Sequence, residues 1–113
     1  MAFVSARLSS ALDAALSGVT HVQLHTGAPG GSGTSNVASG VSRAALTGIG
    51  SSSGGVDTAT AAWTIPGAGG PYTHFSLWTA STAGTFVADG ALSPAESFAG
   101  AGTLNVTITA TAT

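Results

Sequence analysis

The chain has 113 residues and only six charged side chains, Arg7, Arg43, Asp13, Asp57, Asp89 and Glu96, for a net charge of −2. Without a single Lys it lacks the electrostatic footprint of a nucleic-acid binder or a polybasic membrane-surface protein, and without Cys it has no disulfides, thiolate zinc sites, iron–sulfur clusters or Cys nucleophiles. No apolar run reaches the roughly 18 residues of a membrane span, and the N-terminus lacks the charged-then-apolar order of a signal peptide, so the mature chain is expected to begin at Met1.

Ala, Gly, Ser and Thr supply 70 of the 113 residues, so large apolar side chains are scarce. Charged residues make up 5%, far below the roughly 25% usual in soluble domains. Disordered chains are usually highly charged and poor in β-branched residues, whereas Val, Ile and Thr here total 27, so the chain is expected to fold. A weakly charged surface repels its copies poorly, which suits a subunit fixed in an assembly better than a freely diffusing monomer.

Leu8, Ala11, Leu12, Ala15 and Leu16 form the stripe of one amphipathic helix over about 5–17, with Ser5 as N-cap and Gly18 as the stop. From Val19 the period becomes two. Thr20, Val22, Leu24 and Thr26 face one way, and His21, Gln23 and His25 the other. Residues 27–40 are turn-rich, a strand is expected over about 41–46, and the 48–55 segment is low in complexity. Ala59, Ala61, Trp63 and Ile65 then alternate with Thr. Further strands are expected at about 72–79, 85–92 and 103–112, the last with Leu104, Val106, Ile108, Ala110 and Ala112 on one side. The pattern predicts a mainly β protein: a single antiparallel β-sandwich domain over 1–113, jelly-roll-like, with one short N-terminal α-helix. Thr20-His21-Val22-Gln23-Leu24-His25-Thr26 and Thr73-His74-Phe75-Ser76-Leu77-Trp78-Thr79 share T-H-φ-x-L-x-T, which predicts either internal pseudo-symmetry or two equivalent core strands.

The three His are the main candidates for metal or acid–base chemistry. His21 and His25 lie about 13 Å apart along a strand, too far to share an ion ligated at about 2 Å, although His21 and His74 can meet across paired strands. Hydrogen-bonded or interface histidines are the expectation, with no cofactor. Gly50-Ser51-Ser52-Ser53-Gly54 spells G-x-S-x-G, but its Gly-rich flanks are not the strand and helix of a nucleophile elbow, and an inter-strand loop is expected. Without Lys no P-loop can form. Asp57, Asp89 and Glu96 are separated in sequence, and a glycosidase pair would need two of them in one cleft. Trp63 is expected in the core, Trp78 at the surface as a subunit contact, and Arg43 paired with a carboxylate or a backbone carbonyl. Asn105-Val106-Thr107 fits a glycosylation sequon inside the clearest strand and is read as chance.

The run Thr20-His21-Val22-Gln23-Leu24-His25-Thr26-Gly27-Ala28-Pro29-Gly30, with Gly33-Thr34-Ser35-Asn36-Val37, Arg43-Ala44, Thr73-His74-Phe75-Ser76-Leu77-Trp78, Gly84-Thr85-Phe86 and Gly90-Ala91-Leu92, resembles small virion proteins of tailed phages, especially those of actinobacteria, labelled tail-fibre-like or minor tail proteins. The resemblance covers roughly 5–108 and departs at Ala28 and at Val41-Ser42. It implies a non-enzymatic structural protein on the exterior of a phage particle. A complete receptor-binding fibre needs an attachment region, a shaft and a tip, which one sandwich cannot supply. The expectation is therefore an accessory module, trimeric, that decorates and stabilises the capsid by bridging the major capsid protein. A minor tail or fibre-base component contacting tail proteins is the alternative. A carbohydrate-binding module using Trp78, Tyr72 and the histidines is the competing class. Candidate interface residues are Leu8, Leu12, Leu16, His21, His25, Arg43, His74 and Trp78. No nucleic acid and no membrane is expected as partner.

Overall fold

The leucine stripe does form a helix. In the computed structural model, which describes residues 4–112, α1 spans Ser5–Ala15 and its last turn unwinds to Gly18, whose φ of +79° is the left-handed stop that glycine adopts without strain. The expected start at Met1 lies outside the described residues. The helix begins one residue earlier than the Ser signal: Val4 occupies the N-cap position in extended backbone, and among the described residues no side chain caps the helix. Leu12 and Leu16 are buried in the core and Leu8 is half-buried.

Six strands follow: β1 His21–His25, β2 Ala44–Ala45, β3 Val56–Ile65, β4 Gly69–Trp78, β5 Phe86–Phe98 and β6 Gly102–Thr111. They build two antiparallel sheets, one ordered β2-β1-β4-β5 and the other β3-β6, stacked as an unequal sandwich. The alternation of β3 is complete, with Asp57, Ala59, Ala61, Trp63 and Ile65 inward and Val56, Thr58, Thr60, Ala62 and Thr64 outward. Its ten-residue register with β6 is unbroken from Val56 opposite Thr111 to Ile65 opposite Gly102. Between the layers lie Val22, Leu24, Trp63, Ile65, Leu77, Leu104 and Ile108, closed at one end by Leu12 and Leu16. Trp63, as expected, is core, and its indole N–H donates to the Val22 carbonyl at 3.1 Å, tying the two sheets together through a buried polar contact.

The T-H-φ-x-L-x-T repeat resolves into two central strands. β1 and β4 run antiparallel side by side, with Val22 opposite Leu77 and Leu24 opposite Phe75. Both copies start with the same local contact, Thr20 Oγ1 to His21 Nδ1 and Thr73 Oγ1 to His74 Nδ1, each at 2.8 Å.

Two expectations need correcting. The strand expected over 41–46 shrinks to Ala44–Ala45, because residues 26–43, which rejoin the β1 edge only at the bridge between Val37 and His25, otherwise fold back across the outer face of β1 and β4. For the same reason β1 is buried on both faces: Gln23 and His25, expected to face away from the core, are buried along with Val22 and Leu24. Gly33 marks the closest approach of this loop. It is buried with φ of +73°, and a Cβ there would lie 2.5 Å from the Phe86 ring. The expected strand at 85–92 runs on to Phe98.

Candidate functional site

The outer face of β1 and β4 gathers most of the residues singled out in the sequence. Directly opposite pairs on this face are His21 with Trp78, Gln23 with Ser76, and His25 with His74. The meeting of His21 with His74 that paired strands would allow does not occur, because antiparallel pairing inverts the repeat and sets His74 against His25. The overlying loop contributes carbonyls. His25 Nδ1 lies 2.9 Å from the Ser35 carbonyl, and Gln23 Nε2 donates to the Leu24 and Val41 carbonyls at 3.3 Å each.

The directions of these bonds follow from what each group can do. A carbonyl only accepts, so His25 carries its proton on Nδ1 and leaves Nε2 as an acceptor. The Ser76 hydroxyl donates to that Nε2 at 2.6 Å, and the Trp78 indole N–H donates to Ser76 Oγ at 2.7 Å. Trp78 to Ser76 to His25 to the Ser35 carbonyl is thus one chain of donors and acceptors, satisfied with a neutral imidazole. Its members are sealed: His25 and Ser76 are 0% exposed and Trp78 is 7% exposed. Burial is the main reason that His25 sits below the usual histidine range; the neighbouring His74 also lowers it, while the Ser35 and Asn36 carbonyls and Asp89 pull the other way. Protonation at Nε2 would also turn the Ser76 contact from acceptor to donor and leave the hydroxyl proton without its partner.

Arg43 closes the network from above. Its guanidinium carbon lies 4.0 Å from the Trp78 ring centroid, and Nη1 donates to the carbonyls of Ala80 at 2.9 Å and Ala83 at 2.7 Å. Pairing with backbone carbonyls is one of the two outcomes expected for this residue. On its other side Trp78 meets Phe86, with centroids 5.6 Å apart. Trp78 was expected at the surface as the polar-face aromatic; the loop and Arg43 bury it instead.

A histidine and a serine at 2.6 Å resemble a catalytic dyad, but here no substrate can reach them, since both are fully buried and Ser76 Oγ is held by Trp78 as well. The G-x-S-x-G letters form the expected loop: Ser52 Oγ donates to the Ser9 carbonyl at 2.8 Å, the Ser52 N–H to Asp13 Oδ1 at 3.0 Å, and the Gly50 N–H to Asp57 Oδ2 at 2.7 Å. The other oxygen of Asp57, which is 1% exposed, has no hydrogen-bond partner among the described residues. Among the described residues no group of three or more His, Asp or Glu is placed to hold a metal ion, and no helix is long and apolar enough to cross a membrane. Trp63, Tyr72 and Trp78 are all buried, so none offers the stacking face that a glycan platform needs.

Of the remaining candidate interface residues, Leu12 and Leu16 are engaged in the core, whereas Leu8, His21, Arg43 and His74 keep part of their surface. Sequence reasoning missed Ser76, although its place two residues from His74 on a strand beside His25 was a usable signal, because diagonal cross-strand neighbours are within reach.

Fold and site together define a structural β-domain whose reactive-looking side chains hold an outer loop against a sheet. Within that class, the chain belongs to a phage fibre family: the family described as podophage GP4 fiber I protein gp80 matches residues 9–113. No curated protein and no solved structure matches the chain. The match makes it a structural, tail-fibre-like virion protein. It favours the tail alternative over capsid decoration, which finds no support in it, and it carries nothing on actinobacterial hosts or a minor tail label.

Proposed function

We propose that this protein is a non-enzymatic module of a phage tail fibre or fibre base, exposed on the particle and acting through assembly with tail proteins and with its own copies. The observation that carries this reading is the fibre-family match over residues 9–113. Two features support it. The side chains of His25, Ser76, Trp78 and Arg43, the grouping closest to a reactive site, are committed to internal bonds. The surface, with charged residues at 5% of the chain, suits permanent contacts. A cyclic homo-oligomer, with a trimer as the specific expectation, fits a protein that must present the same surface around a tail axis. Sedimentation equilibrium on the purified chain tests self-association: a trimer supports the reading, and a monomer at high concentration removes that part of it. Gold-labelled antibody against the chain, bound to intact particles, should decorate the tail; label on the head alone would overturn the tail assignment.

A further inference from the structure

Among the described residues, backbone pairing joins the two sheets on one side. There Thr47, just beyond β2, bridges Thr60 of β3 through a reciprocal pair of backbone bonds at 2.9 Å. On the opposite side β5 ends one sheet and β6 ends the other, and they face each other without pairing across a cleft of about 610 Å³. Its apolar lining comes from Phe75, Leu92, Leu104, Val106 and Ile108, which is the sandwich core showing through the gap.

The two edges differ in kind. β5 is blunted in the usual ways, with register shifts against β4 and a proline at position 94. β6 is not: its ladder with β3 is regular throughout, and it contains no proline and no charged residue. An edge of that kind is a template for another strand, and alternate side chains of an added strand would fall on the apolar lining. The cleft is also acidic. Asp89 and Glu96 both line it, and neither cation of the chain does. Arg43 is engaged by Trp78 and two carbonyls, and Arg7 lies on α1. Of its two Arg side chains a second copy can therefore offer Arg7, and offers it on a helix, whereas the cleft calls for an extended segment.

We propose that the β5–β6 cleft receives an extended peptide segment of a partner protein, with apolar side chains at alternate positions and Lys or Arg among the others, which adds as a strand to the free edge of β6. The inference stands on the cleft and does not require the fibre role, so its failure would leave that role intact.

The test uses the whole chain and a short synthetic peptide of alternating Val and Thr carrying two Lys, followed by NMR hydrogen exchange and titration. The peptide should slow exchange of amides within 104–109. Its affinity for the unmutated chain should fall with salt, and in Asp89→Asn/Glu96→Gln it should be about fivefold weaker and much less salt-dependent. The same peptide with Glu in place of Lys should bind far more weakly. Absence of slowing at millimolar peptide, equal binding of the Lys and Glu peptides, or protection of the same amides that rises with protein concentration without peptide would each overturn the proposal, the last by giving the cleft to a second copy.

Discussion

Removing one hydroxyl should reveal how much the covered face contributes to stability. In Ser76→Ala the indole N–H of Trp78 and Nε2 of His25 lose their common partner while remaining buried. Leaving a buried donor or acceptor unsatisfied costs about 1–3 kcal/mol, so the two groups together predict a loss of about 2–6 kcal/mol. At about 4 °C per kcal/mol for a domain of this size, Tm should fall by about 8–24 °C. Urea unfolding followed by Trp fluorescence gives the free energy directly, and near-UV circular dichroism should report a changed Trp78 environment before global unfolding. A double-mutant cycle with Trp78→Phe isolates the Ser76–Trp78 contact, because Phe keeps most of the ring and lacks the N–H. A loss below about 0.5 kcal/mol in Ser76→Ala, with fluorescence unchanged, would refute the network.

The buried neutral imidazole makes stability pH-dependent. Folded His25 binds its proton more weakly than the unfolded chain, whose value is 6.5, so stability should be full above that pH, decline as pH falls below it, and level off once folded His25 is protonated too; His25→Asn should flatten this part of the profile even though His74 and Asp89 remain nearby. Gly33→Ala should cost about 2–4 kcal/mol, since the new Cβ meets the Phe86 ring and the residue is held at positive φ, and adding Phe86→Ala should recover the steric part. Arg43→Gln should lose about 1–2 kcal/mol and raise proteolytic nicking around 80–84, where its carbonyl contacts hold the turn. Leu12→Ala or Leu16→Ala should cost about 2–5 kcal/mol in denaturant titration, which shows the helix as part of the core.

Much of the fold was readable because its signals are local. The leucine spacing marks α1, and the strict alternation in β3 and β6 gives both their type and their inward faces. The repeat located the two central strands, but not their relation. An antiparallel pairing sets the first His of one copy against the Trp of the other, and nothing in the letters distinguishes that from a parallel offset. The outer face was misread for one physical reason. Period-two reasoning assigns polar alternate residues to solvent, and it cannot see a loop of 26–43 returning to cover them. Buried Gln23, His25, Ser76 and Trp78 are all consequences of that return. In retrospect Gly33 and Phe86 carried a trace of it, since a glycine inside a long loop is what close approach to an aromatic ring demands. The β5–β6 cleft had no sequence signal, because it arises from strands that are adjacent along the chain and yet end different sheets.

An electron cryo-microscopy map of the intact particle tests the central claim most directly. The account predicts that the two-sheet fold, with its loop closed over Trp78, fits density on the tail in several symmetry-related copies. Density for it on the capsid shell, or a particle that carries none of it, would contradict the account.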